Sequence, residues 1–186
     1  QEDVRKEFDL STDEKMIISI GELDDNKNHI IVIKALARLE RNDFKYIICG
    51  AGPNKDMLMA EAKRLGIGDH VVLAGYRSDI PDILNAADIF VFPSYHEGMP
   101  VSALEAMACG LPIICSEIRG NIDIVNEGDN GYLFGTSDFN TLSRKIALLM
   151  DDAGNRKNMG KKNKELVKVF SQAAVIEELK RIYTMC

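Results

Sequence analysis

The sequence predicts an α/β fold, an open parallel sheet of about six strands with helices on both faces and further helices at the C-terminal end. Three observations carry that prediction. Short apolar runs rich in β-branched residues recur along the chain, bounded by glycine or proline, as in strands buried on both faces. Helical patterns fill the intervals between them, which is the alternation that builds a parallel sheet. After Thr136 only helical patterns remain.

Met16 to Ile20 is the first strand and ends at Gly21. Ile30 to Leu39 follows, with Ile30, Ile33 and Ala37 spaced as one helical face. Tyr46 to Cys49 is the second strand, and Met57 to Leu65 the next helix, stopped by Gly66. Val71 to Ala74 is a third strand, and a weaker helix spans Pro81 to Ala86. Ile89 to Phe92 leads into the helix around Glu105. Pro112 to Cys115 and Gly131 to Phe134 complete the sheet, with a short helix expected between them at Ile122 to Asn126. Asp138 to Met150, Asn155 to Val169 and Ser171 to Tyr183 read as three closing helices, the last with Ser171 as N-cap and Val175, Leu179 and Ile182 in a stripe. No repeat, low-complexity tract or linker divides residues 1–186, which read as one domain.

Composition narrows the function. The 186 residues are 46% apolar and 28% charged, as in ordinary water-soluble globular proteins. A formal net charge of -6 argues against a general nucleic-acid or anionic-membrane footprint and restricts anion binding to a local site. Apolar runs such as Ile89 to Pro93 are too short to span a bilayer. The acidic opening Gln1-Glu2-Asp3 does not fit a signal peptide, and without a leading Met the chain is expected to be a piece of a longer one. Cys49, Cys109, Cys115 and Cys186 lack CxxC or zinc-ribbon spacing. Cys49 and Cys115 fall inside strand-like runs as buried thiols, so the redox reading is reduced and cytoplasmic.

The chemistry is concentrated in SYHEGMPVSALEAMACGLPIICS, Ser94 to Ser116. A helix of small apolar residues is expected to be buried, and Glu105 in its middle then needs a partner, which a ligand could supply. Pro100 suits the first helical position, and Gly98 and Met99 before it lack a capping oxygen. The first-turn amides of this helix therefore form an anion site, or else water satisfies them while Glu97 complements the helix dipole. In SIGELDDNKNH, Ser19 to His29, Lys27 stands at the start of a helix, where a cation either points to water or answers a bound anion. ICGAGPNKD, from Ile48, is an incomplete GxGxxG and reads as a tight turn. Tyr76 and Arg77 leave a strand at its carboxyl end. All four turns follow strands, so all share the edge of the sheet where α/β proteins bind ligands. His29 and His70 read as surface residues; His96, beside Glu97, is the histidine of interest or else only a loop residue, with no Ser-His-Asp order and no metal-ligand spacing. The lysine-rich stretch from Arg156 reads as a solvated helix face.

Together these turns resemble the C-terminal, donor-binding domain of the family 4 glycosyltransferases, which have the two-domain GT-B fold. The resemblance runs from about Glu14 to Tyr183. It is most specific in the E-x7-E pattern of Glu97 and Glu105, followed by AMACGLPII and GNIDIVNEGDNGYLF. It implies that Glu97 is the catalytic glutamate contacting the donor sugar. Gly98, Met99, Pro100 and Val101 would hold sugar and diphosphate, and Glu105 would bind the ribose hydroxyls. Lys27 would pair with the diphosphate beside Gly21, and Tyr76 and Arg77 would lie at the base. The commonest family pattern has Gly-Arg-Leu where this chain has Gly21-Glu22-Leu23, so more diphosphate charge would rest on Lys27 and the helix amides. The GEL…NKNH variant is similar to a bacterial exopolysaccharide and capsule branch.

The activity so implied is retaining transfer of a sugar from a nucleoside diphosphate sugar to a glycan or lipid-linked acceptor, with no cofactor and no metal. The resemblance also implies a missing N-terminal acceptor domain, without which the fragment would bind donor and transfer nothing. Peripheral membrane association would come through that missing domain alone. Two rival readings are a nucleotide-sugar epimerase of the same fold, against which E-x7-E argues, and a non-catalytic nucleotide-sugar-binding module, to which Glu22 gives weight.

Overall fold

The structure, a computed structural model, describes residues 2–170 and Lys180. Six parallel strands form one sheet: β1 (Lys15–Ile20), β2 (Phe44–Cys49), β3 (Val71–Gly75), β4 (Ile89–Phe92), β5 (Ile113–Ser116) and β6 (Gly131–Phe134), in the order β3-β2-β1-β4-β5-β6. The helices are α1 (Glu2–Glu7), α2 (His29–Ala37), α3 (Lys55–Arg64), α4 (Ile80–Ala86), α5 (Val101–Cys109), α6 (Phe139–Asp151) and α7 (Ala153–Leu166). Each predicted strand is present within two residues of its expected ends. The predicted helix from Ser171 to Tyr183 lies outside the described residues, apart from Lys180.

Successive strand residues face opposite sides, so the near-continuous apolar strands feed two cores. Ile17 of β1 packs with Val32 and Leu36 of α2, Leu58 of α3 and Leu142 and Ile146 of α6. Met16 and Ile18 face the other way, toward Ile83 and Leu84 of α4 and Ala103 and Met107 of α5. Asp138 and Asp152 cap α6 and α7, accepting from the amides of Thr141 at 2.9 Å and Asn155 at 2.8 Å.

Two sequence expectations are corrected here, and one element was not foreseen. Ile122 to Asn126 is a set of turns instead of a helix. The buried Asn130 explains this: its side-chain Oδ1 accepts from the amide of Asn126 at 2.7 Å and its NH2 donates to Ile124 O at 2.9 Å, intercepting groups that a helix would pair. Helix α1 has no buried residue and no apolar stripe, so nothing in its sequence announced it. It is held from outside, by Arg5 on Ala86 O at 3.1 Å and on Asp88 at 3.2 Å, and by the buried Phe8 that follows it. Finally, α5 is buried on one side only. Ala103, Ala106 and Met107 face the core, while Val101, Glu105 and Ala108 are exposed. Small side chains let the helix lie close to the sheet, but they do not force every face inward, and Glu105 is not a buried carboxylate.

Candidate functional site

The strand order reverses between β1 and β4: from β1 the chain continues to β2 and β3, and from β4 to β5 and β6. Loops leaving such neighbours diverge and open a crevice at the carboxyl edge. Lys27 follows β1 and Glu97 follows β4, and across that crevice the Lys27 Nζ lies 2.6 Å from Glu97 Oε1. The expectation that both residues share one edge holds.

Local geometry fixes the pair. The Lys27 amide donates to Asp24 Oδ1 at 2.9 Å. Asn28 takes up a left-handed conformation (φ 50°, ψ 33°) that asparagine tolerates, and its buried NH2 donates to Pro93 O at 3.3 Å and Thr136 O at 3.0 Å. Asn26 staples the opposite loop. Its carbonyl oxygens accept from the amides of Tyr95 at 2.8 Å and His96 at 3.1 Å, and its NH2 donates to His96 O at 3.2 Å. Asn26 and Asn28 were not picked out from sequence, although the NKN spacing around Lys27 was the available signal.

Beside this pair stands the start of α5. Pro100 is the cap and Val101 the first helical residue, one position later than predicted. No side chain caps the helix, and among the described residues the amides of Ser102 and Ala103 have no acceptor. A Cβ built at Gly98 meets nothing within 4 Å, so the space over this turn is open. Met99 and Val101 are exposed. The free amides and positive helix end begin a few residues after Glu97, whose carboxylate holds the Lys27 ammonium, and a helix end of this kind suits an anion.

A cavity of about 440 Å3 adjoins the crevice, lined in part by Gly21, Glu22, Gly50, Tyr76, Arg77 and Ile80. Its floor depends on the glycines of the ICGAGP turn. A side chain at Gly50 would lie 1.8 Å from Gly21 O, and one at Gly52 within 2.6 to 2.8 Å of the Leu23 backbone. The incomplete GxGxxG is thus a backbone-on-backbone contact. Cys49 also lines the cavity as a neutral thiol, its pKa raised to about 11 by burial. Tyr76 is 86% exposed at the rim.

Arg77 is already engaged. It makes a two-point contact with Asp79 at 2.8 and 2.6 Å, a second with Glu7 at the end of α1, at 3.0 Å and a closer approach, and lies over the Phe8 ring. The Arg77 hydrogen bonds hold the Asp79 carboxyl below the usual carboxylate range. Arg77 is a wall of the cavity whose charge is spent within the protein.

Glu105 lies on α5 three residues after Ser102, whose hydroxyl approaches Ile20 O at 3.5 Å. Residues three apart share a helix face, so Glu105 stands on the side of α5 nearest the cavity. Its carboxylate is exposed and has no hydrogen-bond partner among the described residues. The structure therefore groups Gly21, Glu22, Tyr76 and Arg77 at the cavity, and Lys27, Glu97 and Gly98 to Val101 at the crevice, with Glu105 alongside. His29, expected at the surface, is 2% exposed beneath the Lys27 loop.

Comparison with known proteins decides the family. Residues 1–166 match the family described as glycosyl transferases group 1. The chain belongs to the group 1 glycosyltransferases. A UDP-Gal:alpha-D-GlcNAc-diphosphoundecaprenol alpha-1,3-galactosyltransferase of Escherichia coli is 31% identical over an alignment of 171 residues that covers 88% of this chain and 44% of the relative. The crystal structure of Anabaena HepE in complex with UDP superposes with a TM-score of 0.92 at 21% identity, covering 99% of this chain and 52% of that one. The C-terminal domain of a group 1 glycosyltransferase (LpcC) from Francisella tularensis superposes with a TM-score of 0.78 at 21% identity, covering 90% of both chains. The chain spans about half the length of the curated relatives it matches. These likenesses agree with the parallel α/β sheet and with a GT-B-type fold. Among the described residues no helix is long and apolar enough to cross a membrane.

Proposed function

We propose that this group 1 glycosyltransferase chain binds a nucleoside diphosphate sugar and, within a longer protein, serves as the donor side of a retaining sugar transfer to a glycan or lipid-linked acceptor. The observation that carries this reading is the Lys27–Glu97 pair, 2.6 Å apart at the switch point beside the acceptor-free amides of α5. A cation and open amides suit a diphosphate, and a carboxylate next to them suits the hydroxyls of the attached sugar. The E. coli relative is named for a UDP-linked donor and a diphosphoundecaprenol acceptor, and HepE was solved with UDP, which favours UDP as the nucleotide.

In this reading the base enters the 440 Å3 cavity against the exposed ring of Tyr76 and the backbone of Gly75 to Arg77. The ribose hydroxyls meet the Glu105 carboxylate. The diphosphate lies over Gly98 and takes hydrogen bonds from the amides of Ser102 and Ala103 and from Lys27. Glu97 accepts from the donor sugar and acts as the catalytic carboxylate. As the bond from the sugar to the diphosphate breaks, negative charge grows on the leaving phosphate, where Lys27 and the helix amides are already oriented to stabilise it. Glu22 is exposed at the cavity wall, where the commoner family pattern has arginine, so the burden of that charge falls on Lys27 and α5, with no metal required. The acceptor and any membrane contact belong to the remainder of a longer cytoplasmic protein. An epimerase is not favoured, because the relatives are named as transferases.

Calorimetric titration of this chain with UDP, UDP-sugars and uridine tests the binding half of the proposal. Binding of UDP tighter than uridine is expected, and no binding of any nucleotide contradicts it. Incubating a full-length relative carrying this domain with radiolabelled UDP-sugars then separates transfer from epimerisation and from binding alone.

A further inference from the structure

A buried polar chain runs beneath the crevice and is not used by the proposed donor contacts. The His29 Nε2 lies 3.2 Å from Glu22 O, and the carbonyl of Gly21 also bears on the ring. A carbonyl only accepts, so Nε2 carries the proton and Nδ1 is bare. On that side Tyr46 Oη lies 3.4 Å away, itself donating to Ser19 Oγ at 2.8 Å, which donates to Val91 O at 2.6 Å. The chain ties α2, β2, β1 and β4 together directly under the switch point.

What His29 grips, at Glu22 O, is the turn on which Lys27 lies. A Cβ built at Gly21 would sit 3.1 to 3.3 Å from the Cδ, Cγ and Cε carbons of Lys27, so the lysine stem rests on the bare Gly21 backbone. A displacement of the turn from Gly21 to Leu23 moves that stem and its ammonium. Gly50, just after β2, packs closely against Gly21 O, and the Gly21 amide donates to Cys49 O at 3.0 Å, so β2 holds the turn as well as His29 does.

We propose that His29 is a positioning residue for the donor diphosphate, holding the Gly21–Leu23 backbone turn through Glu22 O so that Lys27 Nζ stands in the crevice. The proposal rests on the donor reading above. His29 itself is buried and touches no ligand; it acts through the backbone and Lys27. Burial keeps the ring neutral, and the Nε2–H is the donor that holds the turn. The charged groups bearing on it are Asp24 and Lys27.

The test compares His29→Leu, which removes the donor, with His29→Gln, whose side-chain NH2 can replace the Nε2–H. Calorimetry of the wild-type chain with UDP and uridine comes first, and a wild type that does not prefer UDP brings down the donor reading itself. Given that preference, His29→Leu is expected to weaken UDP about tenfold while changing uridine less than about twofold, the loss of one oriented charge-assisted contact. His29→Gln is expected to return UDP affinity to within about threefold of wild type. Equal weakening of both nucleotides, or of neither, overturns the inference, as does a Gln variant no better than Leu. Should the Leu variant fail to fold, the 15N shifts of the imidazole in the folded wild-type chain decide: an Nε2-protonated tautomer between pH 5.5 and 8 is expected, and an Nδ1-protonated one overturns the proposal.

Discussion

Lys27 and Glu97 are separated by 70 residues of sequence and by 2.6 Å in space, one loop beyond each of the two strands between which the sheet reverses order. Their side chains are 22% and 12% exposed, so the pair is open enough to be reached and dry enough to be worth more than a surface ion pair. In the donor account Lys27 exchanges part of this contact for phosphate oxygens, and Glu97 turns to the sugar.

Lys27→Ala therefore weakens UDP more than uridine. Loss of a charge-assisted contact to phosphate corresponds to about 1.5–3 kcal/mol. Calorimetry with both ligands checks it, and equal losses would put Lys27 outside the diphosphate site.

Two glycines separate architecture from ligand space. Gly50→Ala drives a methyl into Gly21 O, so it lowers unfolding stability by about 1–3 kcal/mol and disturbs nucleotide binding with it. Gly98→Ala meets open space, so stability is unchanged while UDP affinity falls. Urea unfolding of both variants beside calorimetry distinguishes them. A destabilised Gly98→Ala chain would show that the turn is structural.

Acid stability reports on His29. Burial is the main cause that lowers its pKa from 6.5 to about 4, opposed by the carbonyls of Glu22 and Gly21. Above pH 6.5 neither folded nor unfolded chain protonates it appreciably, and its contribution is complete. As pH falls from 6.5 toward 4 the unfolded chain binds a proton that the folded chain refuses, and stability declines. The loss approaches about 3 kcal/mol at most. Urea unfolding of wild type and His29→Gln at pH 7 and pH 4.5 checks it: the wild type loses more between the two, and parallel losses would assign the acid sensitivity elsewhere.

Exposure changes what is expected of Glu105. Because its carboxylate is already in solvent, Glu105→Gln leaves the melting temperature of the free chain unchanged. If Glu105 accepts from both ribose hydroxyls, the same substitution weakens UDP by about 1.5–3 kcal/mol. A 2′,3′-dideoxy nucleotide binds wild type and variant alike. Equal loss for both nucleotides would remove Glu105 from the ribose site.

Much of the sheet was legible because its strands are short, β-branched and bounded by glycine, a pattern set by burial on both faces. The shared edge was legible too, since every candidate turn follows a strand. Burial of single residues was not. His29 sits in a polar loop pattern, and only the tertiary contacts of Tyr46 and the Glu22 carbonyl draw it inside. Glu105 misled in the opposite direction, because alanines around a carboxylate do not say which face of a helix meets the sheet. Arg77 was recognised at the right edge, but its partner Glu7 belongs to a segment with no apolar pattern to place it. Long-range polar contacts of this kind have no periodicity to read.

The account stands most directly on where a nucleotide binds. Titrating UDP into the 15N-labelled chain and following backbone amide shifts tests it in one measurement. The account predicts the largest changes at Gly21, Lys27, Tyr76 and from Gly98 to Glu105, with little at α6 or α7. Saturable shifts centred elsewhere, or none across the carboxyl edge at concentrations that saturate binding, would contradict it.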